Sequence, residues 1–536
     1  MTTAQDTGAG VIGRMLAGAG ASHAFGIPGG EVLALIEGLD AAGLRFVLVK
    51  HENAGGFMAE GHWHMTGALP VLVATLGPGV ANAVNVVANA LQDRVPLIFL
   101  TGCVDSAEAE TYTHQVFDHQ ALLRPVVKGS FRAARGAVAQ VMAKAITLAL
   151  SGQPGPVHVD VPIGVAEGAE PSLPFAAALP DLPAATPGQI ARLQAALDTA
   201  ERPIAIAGVD AVNEGAGAAI AEFCHAQGIP LITTYKGKGL LAEDDPLSLM
   251  GAGLSPRADG VLLPLIRQAD LVVLLGYDPI EMRIGWRDIF APHQTVFEIA
   301  PVPRLHGMHR CDETLLAGLG DTLARLKPGT TARWPGGRIA QARAALQDLF
   351  AGPSDQWGPH AAFAALRKAL PDTAVITADS GAHRILLSQM WQSPAPRLIL
   401  QSSGLCTMAC ALPLAMGARL GRPDAPVVAV MGDAGLEMGA GELATLRDLG
   451  LPVIVCVMVD ESLTLIEMKQ RGSGRANLAV DFGATDFPAL AAAFGGHGVW
   501  VDSAAAMRDE VQAAMGRDGF TLLAVRIGRR AYEGAF

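Results

Sequence analysis

The chain has no basic run, no stretch of about 18 uninterrupted apolar residues, and no cysteines in paired C-x-x-C spacing. The first absence, together with a formal net charge of -12, argues against a nucleic-acid or anionic-membrane partner, because both need clustered Lys and Arg. The second leaves no candidate for a membrane-spanning helix. The third concerns six cysteines, at 103, 224, 311, 406, 410 and 456 of 536 residues. Such spacing fits neither a zinc ribbon nor a small disulfide framework, so the thiols read as reduced. The opening "MTTAQDTGAGVIGRMLAGAG" lacks the basic start and compact apolar core of a signal peptide. The expected setting is cytoplasmic, with small molecules as partners. Short repeats and low-complexity tracts are also missing.

What the chain does have is apolar material: half of its residues. Short runs of Val, Ile and Leu alternate with longer Ala-rich helical patterns, the pattern of parallel sheets covered on both faces. The class is α/β. At roughly 100 to 200 residues per domain the length suggests three domains. Pro-rich and Ala-rich breaks at 170–187 and 327–338 place them at 1–170, 188–327 and 355–536, each a doubly wound parallel sheet. In the middle unit "RPIAIAGVD" and "ADLVVLLGYD" are strands ending in Gly and Asp, as in nucleotide-binding sheets. No G-x-G-x-x-G follows a strand there, so a dinucleotide site is not supported.

Two apolar runs in the last unit stop abruptly at an acid. "VVAVMGDAGLEMG" breaks at Asp433 and "LPVIVCVMVDES" at Asp460, with a helical "GELATLRDL" between them. One strand-helix-strand unit fits this spacing, so the two aspartates sit at the carboxyl ends of neighbouring strands, where α/β sheets bind ligands. Two hard oxygen ligands there suit Mg²⁺. Gly432, Ala434 and Gly435 lack bulk, so backbone N–H groups could approach a diphosphate. Taken alone, an aspartate before small residues is equally a helix N-cap or turn residue.

"GDAGLEMGAGELATLRDLGLPVIVCVMVD" resembles the metal-binding motif of thiamine diphosphate enzymes. That resemblance implies metal ligation by Asp433, Asp460 and the backbone carbonyl of Ser462, although Ala434 stands where a Gly is usual and Val459-Asp460 where Asn-Asn is common. In the first unit "VKHENAGGFMAEGHWHMTG" and "TLGPGVANAVNVVANALQDRVPLIFLTG" are similar to the same family. They imply that Glu52 meets the aminopyrimidine ring of the cofactor, with Gly77, Pro78, Gly79 and Asn82 matching nearby. "DSGAHRIL" implies diphosphate contact through Gly381 and His383, and "SSGLCTMACALPLAMGA" implies aminopyrimidine contact at Cys406 and Met408, Met408 also supporting the bend of the cofactor. The resemblance spans nearly the whole chain and orders the domains as pyrimidine-binding, middle and diphosphate-binding. It implies a homodimer or homotetramer, because the glutamate and the diphosphate site come from different subunits.

"THQVFDHQALLRPVVKGSF", "ADLVVLLGYDPIEMR" and Val459-Asp460 resemble the catabolic, flavin-independent acetolactate synthases, which join two 2-oxo acid molecules. Thr113, His114, Gln115, Asp118, Pro125 and Lys128 match in the first of these segments. The resemblance makes Glu52 and Gln115 the catalytic candidates, gives Lys128 as a positive charge for substrate carboxylates, and implies thiamine diphosphate and Mg²⁺ without FAD. The product implied is 2-acetolactate from pyruvate; a related decarboxylase or carboligase is the alternative. Lys469 stands where biosynthetic members carry a Trp, which speaks against a preference for 2-oxobutyrate.

Overall fold

The computed structural model describes residues 6–171, 179, 181–304, 306–330, 333–353 and 356–536. Residues 1–5 and part of the first proposed linker, 172–178 and 180, lie outside it. Three six-stranded sheets carry the molecule, beside a small two-stranded one. Each six-stranded sheet is parallel throughout, and helices fill the crossovers. This is the α/β architecture expected.

The first sheet runs Arg45–Leu48, His23–Gly26, Val71–Ala74, Ile98–Cys103, Val157–Pro162, Gly129–Arg132. The third runs Ile399–Gln401, Val375–Ala378, Val427–Gly432, Ile454–Val459, Thr521–Arg526, His497–Val501. In chain order both read 2-1-3-4-6-5, so the two outer units share one winding. The middle sheet runs Ser248–Ala252, Leu231–Thr234, Pro203–Ala207, Leu271–Leu275, Thr295–Ala300, Glu313–Leu316. Its chain order is 3-2-1-4-5-6, that of dinucleotide-binding sheets. The two strands expected there, 203–207 and 271–275, are direct neighbours in register Ala205 to Val273.

Continuous burial explains why the central strands lack polar alternation. Val427–Met431 and Ile454–Val459 are buried along their whole length, since helices cover both faces. The two strands pair in parallel from Val428–Ile454 to Gly432–Met458. The crossover between them is two short helices, Asp433–Gly439 and Glu442–Leu449.

Helix Glu52–Thr66 of the first unit lies on helix Ala411–Gly421 of the third. Their backbones come so close that a Cβ on Gly61 would stand 2.2 Å from the Leu414 carbonyl oxygen, and one on Gly417 2.0 Å from that of Met58. Glycine at both positions is therefore a packing requirement. The contact ties the helix that begins with Glu52 to the helix that follows the Met408 segment. All six cysteines are free thiols, and among the described residues no helix is long and apolar enough to cross a membrane.

Candidate active site

In the third sheet the winding reverses between Val375–Ala378 and Val427–Gly432, and a cleft opens beyond the carboxyl ends of these strands, as such reversals provide. It is lined by Gly381, His383, Met408, Gly432, Asp433, Ala434, Gly435, Asp460 and Ser462, among others. The structure thus brings together the aspartates and most of the residues expected around the diphosphate. Cys406 does not line it. Its backbone sits at φ +58°, a left-handed conformation that costs a non-Gly residue about 1–2 kcal/mol, and its Sγ takes a hydrogen bond from Arg384 at 3.2 Å.

Asp433 is 3 % exposed and Asp460 7 %. Asp433 Oδ2 accepts the N–H groups of Asp460 at 3.0 Å and Glu461 at 2.7 Å, which holds the turn after the second strand against the end of the first. Burial raises the Asp433 carboxyl above its ordinary value, opposed by these backbone donors. Burial, opposed by the Thr464 hydroxyl at 2.5 Å and reinforced by the Asp433 charge, pushes Asp460 up to about 7. Among the described residues no Lys or Arg pairs with either. Two buried carboxylates without a cation fit a divalent metal, which restores their charge on binding. The Ser462 hydroxyl, also buried, has no partner. The donor set is all oxygen, as Mg²⁺ requires.

A residue the sequence reading passed over organises this cleft. Asp379 follows the strand Val375–Ala378; its Oδ1 lies 2.8 Å from His383 Nε2 and its Oδ2 accepts the Ala409 N–H at 2.8 Å. A Cβ on Gly435 would fall 2.1 Å from the same carboxylate. One side chain thereby fixes the His383 ring, the turn after Met408 and the helix start after Asp433. The i, i+4 spacing of Asp379 and His383 was the available signal.

Glu52, Pro78, Asn82 and Gln115 belong to the first unit and line no part of this cleft. Glu52 opens its helix, is 5 % exposed, and accepts Asn82 Nδ2 at 3.0 Å. A Cβ on Gly79 would lie 3.2 Å from Glu52 Oε1, so the carboxylate rests on the helix start that Pro78 forms. Gln115 is exposed, at φ +60°, and a Cβ on Gly77 would stand 2.3 Å from its carbonyl oxygen. Behind this turn the Gly77 N–H donates to His119 Nε2 at 3.1 Å, so the proton of the neutral ring is on Nδ1, 2.8 Å from Asp160 Oδ1. Burial alone would raise Asp160; hydrogen bonds from His119 and His158 hold it well below the carboxylate range. His119 is a second residue missed, placed by contacts 41 and 42 positions apart. Lys128, read as a charge for substrate, instead donates to the Ser151 and Gln153 carbonyls, each at 2.8 Å.

Known proteins match this sequence along nearly its whole length. Residues 6–122 match the thiamine pyrophosphate enzyme N-terminal TPP binding domain, 190–326 the central domain, and 379–525 the C-terminal TPP binding domain. The acetolactate synthase isozyme 1 large subunit of Escherichia coli is 30% identical over 539 residues, covering 97% of this chain and 94% of that protein. The acetolactate synthase of Bacillus subtilis is 28% identical over 534 residues, covering 98% and 93%. A probable acetolactate synthase large subunit of Methanocaldococcus jannaschii is 28% identical over 512 residues, covering 91% and 86%.

Proposed function

The chain belongs to the thiamine pyrophosphate enzymes, of the acetolactate synthase kind, and on that premise we propose that it uses Mg²⁺ and thiamine diphosphate to decarboxylate pyruvate and join the two-carbon unit to the ketone of a second pyruvate, giving 2-acetolactate. What carries the reading is the buried Asp433–Asp460 pair at the switch point of a sheet, in a chain aligned end to end with acetolactate synthases. When bound, thiamine diphosphate supplies the acidic C2 position and the electron sink that decarboxylation needs. Asp433, Asp460 and the Ser462 carbonyl hold the metal against the diphosphate, which also meets Gly381, His383 and the N–H groups from Gly432 to Gly435. Met408, on the cleft wall, would support the bound cofactor, and the Cys406 backbone, outside the cleft lining, would meet its aminopyrimidine ring. Glu52, oriented by Asn82, holds a proton at ring nitrogen N1′, and Gln115 offers its amide to the second 2-oxo acid.

The cleft measures about 120 Å³, below the roughly 300–1,000 Å³ of pockets that enclose a whole drug-sized ligand. It suits the metal–diphosphate end. We propose, as the family resemblance implies, that the Glu52 unit of a second copy supplies the remaining walls, which makes the working enzyme at least a homodimer.

Acetolactate is the expected main product from labelled pyruvate, with carbon positions read by NMR. Another acyloin as main product would support the alternative, a related carboligase with a different donor or acceptor. No CO₂ release from any 2-oxo acid would defeat both.

We further propose that no flavin is bound. In the middle sheet the reversal lies between Pro203–Ala207 and Leu271–Leu275, the place for a dinucleotide, and it is filled by charge. Asp210 and Asp278 follow these strands. Arg94 Nη2 donates to Asp278 at 2.7 Å and Gln153 Nε2 at 2.9 Å, while Arg304 pairs with Asp210. These ion pairs occupy the strand ends that a pyrophosphate would approach, and no G-x-G-x-x-G follows either strand. Purified protein is expected to be colourless and fully active without added flavin; a stoichiometric flavin spectrum would overturn this.

A further inference from the structure

The last strand of the third sheet, Thr521–Arg526, pairs in parallel with Ile454–Val459, ending in register Val459 to Arg526. The chain beyond Arg526 therefore leaves the sheet beside the chain that carries Asp460. It turns back at once: the Glu533 N–H donates to the Arg530 carbonyl at 3.0 Å and that of Ala535 to Tyr532 at 3.0 Å. Arg471 Nη1 holds Glu533 at 3.1 Å, and Arg257 of the middle unit donates to the Gly534 carbonyl. These contacts hold Tyr532 in the buried apolar cluster that also contains Cys456, Met458 and Ile527.

Tyr532 is 2 % exposed and lines the cleft that holds Asp433 and Asp460. Its hydroxyl is buried and has no hydrogen-bond partner. Buried polar groups are almost always paired, so an orphan beside a cleft asks for the group that pairs it. Ser462 Oγ, in the same cleft, is orphaned too. Two hydroxyls without partners, in a cleft where two carboxylates already need a cation, point to an oxygen-rich guest. A phenol O–H is a donor at working pH, and burial holds that of Tyr532 well above its ordinary value.

We propose that Tyr532 is a cofactor-positioning residue whose hydroxyl donates a hydrogen bond to the diphosphate end of thiamine diphosphate, which makes the segment after the last strand part of the cofactor site. This rests on the reading of the cleft as the metal–diphosphate site, and deepens it. Hydrogen bonding to an anion distinguishes this role from ring packing, because only the former responds to a ligand that has no ring.

The test uses full-length apo protein with saturating Mg²⁺. Calorimetry first measures thiamine diphosphate and inorganic diphosphate on the wild type; no binding of either would sink the cleft assignment itself. With wild-type binding in hand, Tyr532→Phe is expected to weaken both ligands by about tenfold or more, with melting temperature of the apo protein unchanged. Equal affinities in variant and wild type would overturn the Tyr532 role alone. A second readout does not need the variant to be stable. The chain has four tyrosines, and ring-labelled wild-type protein is expected to show one Cζ resonance moving on addition of Mg²⁺ and inorganic diphosphate; four unmoved resonances would refute the contact.

Discussion

Asp433→Ala is expected to abolish retention of thiamine diphosphate and Mg²⁺, measured by calorimetry, while the fold survives. Changes to residues that merely orient metal ligands cost about 10–100-fold in affinity, so removal of one of two carboxylate ligands is expected to exceed about 100-fold. The Ala variant also strips the acceptor from the Asp460 and Glu461 N–H groups, and each unpaired buried donor costs about 1–3 kcal/mol. A lower melting temperature is therefore expected and would confuse the result. Asp433→Asn separates the effects, since its side-chain oxygen still accepts from the backbone but carries no charge. Expected together are near wild-type circular dichroism and melting for Asn, and lost cofactor binding for both variants. Unchanged affinity in Asn would remove the Asp433 charge from the metal site.

That aspartate could be found in the sequence because burial is legible there: a run of Val, Ala and Met with no polar alternation must be covered on both faces, and the first acid after it marks the strand end. Asp460 is found the same way. Glu52 has no such local mark. An acid at a helix start is common for electrostatic reasons alone, and only its likeness to a known family singled it out. Residues placed by topology stayed hidden. His119 reaches Asp160 because strands 98–103 and 157–162 are adjacent, and Tyr532 reaches the cleft because the chain folds back after the last strand; neither fact is periodic or local. The bonding of Lys128 stayed hidden for a related reason. A lysine in an exposed-looking loop says nothing of the Ser151 and Gln153 carbonyls that the following crossover brings against it. The middle sheet shows the opposite limit: its strand order is that of dinucleotide binders, while the ion pairs Arg94–Asp278 and Arg304–Asp210 stand at its strand ends, so winding alone does not assign it a ligand.

Glu52→Gln is the second large effect expected. Gln keeps the size of the side chain and can still accept from Asn82 Nδ2, so the variant should retain thiamine diphosphate within a few-fold. It cannot hold an exchangeable proton between its carboxyl and N1′, and loss of a general acid–base partner costs about 10²–10⁴-fold. Proton–deuterium exchange at C2 of the bound cofactor, followed by NMR, is the direct readout and is expected to slow by that factor. A wild-type rate would remove Glu52 from the reaction. The same variant tests how the site is assembled. On the proposed assembly, in which the Glu52 of one copy faces the Asp433 cleft of another, co-expressing Glu52→Gln with Asp433→Asn chains is expected to give mixed dimers with one site that carries both lesions and one that carries neither. Random pairing then returns about a quarter of wild-type activity from two nearly inactive parents. If both groups served a site within one chain, every site in the mixture would carry one lesion, and activity would stay at the level of the parents.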